Sequence, residues 1–266
     1  MSGSSPTIPS ETEAPAEPAG RRSGPKRTAG PPRSPAVRRL RAAGAVFAAA
    51  AILAVAAVGL LAVTTPDPRP LATRNPRTTA WIERIRAAGG EVLWIPVPLD
   101  RISPHLRLAV LVGEDVRFFS HHGFDWIEVR AAFRDAVTRG RLRGASTLTQ
   151  QLARNLWLSR RRTVSRKLRE AVLAWKLERT LSKRRILELY LDTAPFGPDT
   201  VGAEAAALRY YGVHAADLTP DQAARLAAAL PAPLKWYPGS DTPRVRRHFQ
   251  RIRRRMARFR GLQRLP

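Results

Sequence analysis

The apolar residues divide this chain into a polar beginning, one long uncharged run and a stretch of helical patterns. Residues 1–41 are rich in Pro, Ser, Gly and charge and contain almost none of the large apolar side chains that a core requires. We therefore expect a disordered basic tail. Residues 42–63 carry no charge, and a helix of that length spans about 33 Å, enough to cross a hydrocarbon core of about 30 Å. The pattern predicts a single transmembrane helix at residues 42–64.

A cleaved signal peptide is the alternative for the apolar run. The run is longer than the usual apolar region of roughly 7–15 residues and begins far from the N-terminus, which favours an uncleaved anchor. Asp67 and several prolines follow the run. The basic residues that precede it are Arg21, Arg22, Lys26, Arg27, Arg33, Arg38, Arg39 and Arg41. Because positive flanks stay in the cytoplasm, we expect a cytoplasmic N-terminus and a domain on the outer, periplasmic face of the inner membrane.

The residues after the run begin with a Pro-rich segment. Residues 65–90 are interpreted as an extended linker and the segment that leads into the main domain, and residues 91–97 as a strand. Ser103 and Pro104 are typical N-cap and first-turn residues of a helix. That helix is predicted to run to about Val116, which places Glu114 near its C-terminal end.

Helical patterns dominate the second half of the chain. Three further helix starts are marked by capping residues, namely Ser165, Ser182 and Thr219. The helix after Ser165 is predicted to run to about Arg179, with Leu168, Val172 and Trp175 on one face. Residues 245–259 form an amphipathic pattern with arginines on the polar face. The sequence therefore predicts a mainly α domain at residues 91–266.

The net charge of +25 suggests an anionic partner. An exported domain rarely meets nucleic acid but always faces anionic lipid headgroups, so the charge indicates a membrane and no nucleic acid. The chain has no cysteine, which excludes disulfides, a thiol nucleophile and a thiolate metal site.

Glu114 and Asp115 stand beside Phe118 and Phe119, where a carboxylate can be partly desolvated and become a useful base. Carboxylates at a helix C-terminus oppose the helix dipole, so their position favours a functional use. His121 and the residue after it point in different directions, so we favour structural hydrogen bonds over a shared metal ion for this pair.

A polar stretch at residues 144–155 follows. Ser146 and Thr147 offer hydroxyls, while Gln150 and Gln151 can bond sugar hydroxyls without adding charge. Arg154 adds a cation one turn after Gln150. A polar helix with an N-cap is the alternative interpretation of this stretch.

The basic residues at 160–167 are followed by Glu170. They form either a solvated face with an ion pair from Arg166 to Glu170, or a set of guanidinium groups that binds phosphate. Only the neighbouring motifs favour the second interpretation.

Four blocks together resemble the peptidoglycan glycosyltransferases, the membrane-anchored enzymes related to the first domain of class A penicillin-binding proteins. The blocks are Glu114 to Asp125, Gly144 to Asn155, Arg166 to Glu170 and Ser182 to Asp192. Residues 202–212 form a fifth block, and residues 78–81 resemble the leading segment of the monofunctional members. The likeness covers residues 66–260. Because no Lys-Thr-Gly motif is present, we expect the monofunctional form.

The resemblance implies a lysozyme-like, largely α fold and a role for two carboxylates. Glu114 resembles the general base that deprotonates the 4-hydroxyl of the N-acetylglucosamine in lipid II. This oxygen attacks C1 of the donor, inverts that centre and expels undecaprenyl diphosphate. Glu170 resembles the second carboxylate, on the donor side. The resemblance places the following residues at substrate-binding positions: Asp115, Phe118, His122, Ser146, Thr147, Gln150, Gln151, Arg154, Asn155, Arg162, Arg166 and Lys167.

The chain departs from the family pattern at two positions. Arg154 stands where the family usually has Lys, and Asp192 where Asn is common. The family's segment between the first two motifs lies near the bilayer, which corresponds to residues 126–143 here. Mg²⁺ or Mn²⁺ at the substrate pyrophosphate is compatible with the chemistry, but no ligand cluster identifies a metal site held by the protein.

Two other functions fit parts of the pattern. A lysozyme-type lytic hydrolase also uses a glutamate in a helical fold, but it needs no cations for a pyrophosphate. An inactive scaffold of the wall-synthesis complex would bind other cell-wall synthesis proteins. The prediction that best fits all the motifs is a polymerase whose substrates are lipid II and the lipid-linked glycan chain.

Overall fold

The computed structural model describes residue 3 and residues 35–140, 144–161, 163–240 and 242–259. Its contacts divide the chain into two units, Met1–Ile52 and Leu53–Pro266. Helix α1, Pro35–Thr64, contributes residues to both units. The predicted tail lies outside the described residues up to residue 34, apart from residue 3. Its last residues, 35–41, are helical, so the helix begins earlier than predicted.

The second half of α1 ends on the main unit. The segment Ala42–Thr64 is long and apolar enough to cross a membrane. Lys176 donates from Nζ to the carbonyl oxygens of Ala62 at 2.9 Å, Thr65 at 2.9 Å and Pro66 at 3.1 Å. A lysine that bonds the last carbonyls of a helix satisfies acceptors that have no partner within the helix.

The segment at residues 65–90 is folded against the domain, which corrects the prediction of an extended linker. It contains a 3₁₀ turn, Arg69–Ala72, and helix α2, Ala80–Ala87. Arg185 donates to the carbonyl oxygens of Leu71 at 2.7 Å and Arg74 at 2.9 Å. These bonds tie the segment to the helix that carries Arg185.

The predicted strand is shorter than its pattern. Strand β1 is Leu93–Trp94, and it pairs in parallel with β2, Thr200–Val201. Trp94 Nε1 donates to the carbonyl oxygen of Asp192 at 2.7 Å. This two-stranded sheet therefore lies beside the end of the helix that Asp192 belongs to.

The remaining elements confirm a mainly α fold. The helices are α3 Pro104–Glu114, α4 Trp126–Arg139, α5 Leu148–Trp157, α6 Val164–Thr180, α7 Lys183–Thr193, α8 Ala203–Tyr211, α9 Pro220–Ala229 and α10 Pro243–Arg258. Ser103, Ser182 and Thr219 cap α3, α7 and α9 as predicted. Helix α6 begins earlier than predicted, because its cap is Thr163 and not Ser165.

The core forms around α3, which packs against α9 and α10, while α5 packs against α6 and α7. Every residue from Leu108 to Val112 is buried. The apolar seam of α10 is buried at Phe249, Ile252 and Met256, as the amphipathic pattern predicted.

The apolar face of α6 formed by Leu168, Val172 and Trp175 is not the face that enters the core. Leu168 and Trp175 are each 48% exposed. The opposite face is buried, and it contains Leu173, Leu177 and the fully buried Glu170. The buried side of α6 therefore carries a charge.

Candidate active site

Glu114 is the last residue of α3, a helix of the core. Gly113 allows α10 to approach this end, since a Cβ there would lie 3.3 Å from Ile252 Cδ1. Arg255 Nη1 donates to the carbonyl oxygen of Val112 at 2.7 Å. A cation at the C-terminal end of a helix offsets the unfavourable dipole that Glu114 meets there. The packing therefore holds Glu114 at a place that its charge alone would disfavour.

The Glu114 carboxylate has a neutral hydrogen-bond partner. Gln151 Nε2, on α5, donates to Glu114 Oε2 at 2.8 Å. No cation of the described segments forms an ion pair with Glu114. Burial raises the pKa of Glu114, the Gln151 bond and the charge of Arg154 oppose this effect, and Asp115 adds to it. A carboxylate with a raised pKa is a stronger base than an ordinary one.

Tyr190 completes this arrangement, and the sequence analysis missed it because it lies in the apolar pattern of α7. Its hydroxyl donates to Gln151 Oε1 at 3.0 Å. Burial raises the pKa of Tyr190 well above its usual value, so the group stays protonated and can donate. Because the Glu114 carboxylate only accepts, Gln151 must turn its amide nitrogen towards Glu114 and its oxygen towards Tyr190.

A pocket of about 220 Å³ opens next to Gln151. Four of the predicted residues line it: Gln151, Arg154, Asn155 and Arg166. Arg160, from the basic run at residues 160–167, also lines it. The sequence analysis did not propose the other lining residues as site residues, and these are Trp81, Arg84, Leu158, Tyr190, Pro195, Leu230, Pro231 and Pro233. No carboxylate stands among these lining residues. The pocket is therefore lined by arginines, and Gln151 in its lining donates a hydrogen bond from its side-chain amide to Glu114.

Glu170 lies in a different environment, on α6. It is fully buried and forms ion pairs with Arg166 and Lys167. Lys167 Nζ also donates to Ser146 Oγ at 3.1 Å. This cluster joins the start of α6 to the loop before α5. Arg162, the other predicted cation of the run, lies outside the described residues.

Comparisons with known proteins agree on one family. A sequence model described as Transglycosylase matches residues 82–257. The chain belongs to the transglycosylase family. It is 50% identical over 161 residues to a biosynthetic peptidoglycan transglycosylase of Rhodospirillum centenum, which covers 60% of this chain and 70% of the relative.

Two further relatives carry the same name. The one from Nitrosospira multiformis is 41% identical over 192 residues, which covers 69% of this chain and 83% of the relative. The one from Azoarcus sp. is 49% identical over 162 residues, or 60% of this chain and 70% of the relative. The resemblance to this family is confirmed, and the chain is a glycosyltransferase with the lysozyme-like, mainly α fold.

Several predicted contact residues of this transglycosylase serve its folding. Thr147 and Gln150 form the capping box of α5, and Thr147 Oγ1 also donates to the carbonyl oxygen of Gly123 at 2.7 Å. Phe118 is fully buried and packs in the core. It has no exposed surface for a ligand, which corrects its predicted substrate contact. His122 is exposed and does not line the pocket.

Asp115 organises the transglycosylase site without reaching the pocket. Its carboxylate contacts His121 Nε2 at 3.0 Å and accepts from the backbone N–H of Leu148 at 2.9 Å. It therefore links the end of α3 to the start of α5. The structural hydrogen bond predicted for the histidine pair is found at His121.

Asp115, His121 and Asp125 have ligand atoms within 4.8 Å of one another, as a metal site would. However, Asp125 accepts two bonds from Arg117, at 2.9 and 2.7 Å, and two from the first N–H groups of α4. A carboxylate that is paired with a guanidinium and caps a helix is a poor metal ligand. These residues do not fit a metal ion, and we assign them a structural role.

Asp192 is a buried carboxylate with few hydrogen-bond partners. Its Oδ1 accepts from the backbone N–H of Val97 at 3.0 Å. Its Oδ2 is buried with no hydrogen-bond partner among the residues that the structure describes. Burial raises the pKa of Asp192 to about 7. An uncharged group therefore fits this position better than a carboxylate does. Asp192 joins α7 to β1 through the Trp94 hydrogen bond, and it does not line the pocket.

Proposed function

We propose that the protein is a peptidoglycan glycosyltransferase that polymerises lipid II into glycan strands. Glu114 takes the proton of the N-acetylglucosamine 4-hydroxyl of lipid II, and the oxygen forms a bond to C1 of the growing chain. The bond from C1 to the phosphate oxygen breaks with inversion, and its electron pair leaves with undecaprenyl diphosphate. Glu114 then releases its proton to solvent.

One observation carries this proposal: a partly buried carboxylate without an ion-pair partner among the described residues lies one amide away from a pocket lined by arginines. The carboxylate can accept a proton because desolvation raises its pKa and its hydrogen-bond partner is a neutral amide. The arginines face the place where charge develops on the leaving diphosphate, and such preorganised charges lower the barrier. The carboxylate thus serves the attacking hydroxyl, and the arginines serve the leaving diphosphate.

The cations have distinct roles in this mechanism. Arg154 and Arg166 line the pocket and offset the charge of the diphosphate. Glu170 holds Arg166 and Lys167 in place and reduces the repulsion between these two cations. Ser146 and Asn155 offer uncharged groups for the sugars, and Arg162 is proposed to contact the diphosphate.

The lining of the pocket favours a polymerase over a lytic hydrolase. A hydrolase cuts a bond between neutral sugars and gains nothing from several arginines. An inactive scaffold would need neither the raised pKa of Glu114 nor the amide that orients it. If Mg²⁺ or Mn²⁺ takes part, the substrate diphosphate is the group that would hold it, so a chelator should affect substrate binding and leave the fold intact.

We further propose that α1 anchors the enzyme in the inner membrane. The N-terminal tail would lie in the cytoplasm and the glycosyltransferase domain on the periplasmic face. The basic residues before α1 support this orientation. Exposed apolar residues of α4, including Trp126 and Phe133, are compatible with contact to the outer leaflet. Other cell-wall synthesis proteins are proposed partners.

The test is polymerisation of fluorescent lipid II by the full chain in detergent. Wild type should make long glycan strands, and Glu114→Gln should lose roughly 10²–10⁴-fold in rate, the usual contribution of a general base. The control is Glu91→Gln, because Glu91 is exposed and does not line the pocket. Shortening of preformed glycan would contradict the proposal in favour of a hydrolase. Equal polymerisation by Glu114→Gln would contradict the role of the base.

A further inference from the structure

A tryptophan of α2 holds two arginines at the wall of the pocket. Trp81 is 7% exposed. Arg84 Cζ lies 4.3 Å from the centre of its ring, and Arg160 Cζ lies 5.0 Å from the same centre. Arg84 belongs to α2, whereas Arg160 follows α5. All three side chains line the pocket next to Arg154.

These two guanidinium groups lack a counter-charge. Within the described parts of the chain, no carboxylate forms an ion pair with Arg84, Arg154 or Arg160. Burial, and then repulsion from Arg160, lowers the pKa of Arg84. Holding two like charges together at a pocket wall is electrostatically unfavourable, and a bound anion would reduce this repulsion. Arg86, on the same helix, differs because it pairs with Glu83 at 3.6 Å.

The indole explains how the pair stays in place. A guanidinium can stack on an aromatic ring and still direct its N–H groups towards an anion. Trp81 Nε1 is buried without a hydrogen-bond partner among the described side chains. Burying an unpaired donor is unfavourable. A tryptophan retained here at that cost serves as a platform for the two cations.

We propose that Arg84 and Arg160, stacked on Trp81, form an anion-binding subsite that takes a phosphate group of the lipid-linked diphosphate substrate. The subsite rests on the proposed function, because that function supplies the diphosphate. It adds Arg84, from α2, to the cations at Arg154 and Arg166, and it pairs Arg84 with Arg160 of the basic run. The planar guanidinium fork matches phosphate oxygens. The segment before the domain thus takes part in substrate binding.

The first experiment measures binding without catalysis. Inorganic diphosphate is titrated into the full chain in detergent by calorimetry, for wild type, Arg84→Gln, Arg160→Gln and the double variant. Each single variant should bind about tenfold more weakly, the loss expected for one charge-assisted hydrogen bond. The control Arg86→Gln should bind as wild type does. Equal affinity in wild type and the double variant would overturn the proposal.

The second experiment measures lipid II polymerisation by the same variants. KM should rise about tenfold for each single variant, with a smaller change in kcat. Arg84→Lys keeps the charge, so it should recover part of the loss. This recovery would also show that a substitution at position 84 leaves the protein folded. An unchanged KM in variants that still polymerise would reject the subsite and leave the proposed function standing. Diphosphate binding that depends on both arginines, without any polymerisation, would reject the function and leave the subsite standing.

A carboxylate of the stem peptide is the other anion that the same guanidinium chemistry could bind. Lipid II with amidated peptide carboxylates distinguishes the two sources. If the rise in KM persists with the amidated substrate, the subsite binds phosphate as proposed. If the variants and wild type become equal with that substrate, the ligand is the peptide carboxylate and the assignment to phosphate is wrong.

Discussion

The two carboxylates of the site lie in opposite electrostatic surroundings. Glu114, at the end of α3, accepts a hydrogen bond from the neutral amide of Gln151. Glu170, on α6, forms ion pairs with Arg166 and Lys167. The first carboxylate has a raised pKa and can take a proton from a substrate. The second is held by cations and in turn holds them. Burial alone therefore does not make a base, since the partner decides the role.

The largest effect expected from this difference is on stability. Glu170→Gln leaves Arg166 and Lys167 without their counter-charge, and the free energy of unfolding should fall by roughly 2–4 kcal/mol, as when one partner of a buried ion pair is removed. Glu114→Gln removes a charge that had no cation partner, so its stability should equal or exceed that of wild type. Denaturant unfolding of both variants in detergent measures this, and equal losses would refute the comparison.

Asp192 is another buried carboxylate, and among the described residues it has neither a side-chain amide donor nor an ion-pair partner. Its pKa in the folded protein, about 7, lies above the unfolded value of 3.8. The unfolded state therefore loses its proton first, and folding becomes less favourable as the pH rises from about 4 to 7. Asp192→Asn should be more stable than wild type by roughly 1–3 kcal/mol at pH 8.

The same substitution should bring no advantage near pH 4, where the folded wild type carries the proton. Unfolding curves at both pH values measure the difference. A constant gap between Asp192→Asn and wild type at pH 4 and pH 8 would show that the carboxyl has the same pKa in the folded and unfolded states, and would contradict the raised pKa.

Tyr190→Phe tests the neutral surroundings of Glu114. The ring remains, but the hydroxyl that holds Gln151 is lost, and kcat/KM should fall about fivefold to tenfold, the effect of one hydrogen bond. The Gln151 bond lowers the pKa of Glu114, so loosening it should raise that pKa. Because the base must be deprotonated, activity falls as the pH drops through this pKa, and the acid limb should move to higher pH.

The pH profile of kcat/KM for lipid II polymerisation is the measurement for Tyr190→Phe. Tyr211→Phe is the matched control, since the Tyr211 hydroxyl is buried without a hydrogen-bond partner in the described residues. A loss of rate in Tyr190→Phe with an unmoved acid limb would mean that Tyr190 acts only on packing.

The smallest effect is expected at Arg154, whose charge lowers the pKa of Glu114. Arg154→Lys restores the residue usual in the family and keeps the charge while losing the fork of donors. We expect kcat/KM to change by less than about threefold. Steady-state polymerisation rates give this value. A tenfold loss would show that the pocket depends on guanidinium geometry at this position.

Local signals in the sequence were sufficient where neighbours in the chain decide the structure. The caps at Ser103, Ser182 and Thr219 were predicted because a cap and its helix lie within four residues. The buried face of α6 could not be predicted from apolar periodicity, because ion pairs with Arg166 and Lys167 allow the charged Glu170 to be buried there. Trp81 and Tyr190 were missed as site residues, since only the packing of α2 and α7 against α5 brings them to Gln151.

Lys176 connects the apolar helix α1 to α6, the helix that carries Glu170. Its ammonium group donates to the carbonyl oxygen of Ala62, in the last turn of α1, and to that of Thr65, the residue after the helix. If α1 spans the bilayer as proposed, a tilt of its last turn acts directly on α6. Bilayer thickness, which sets such tilts, is then a variable that can alter how the arginine-lined pocket meets its substrate.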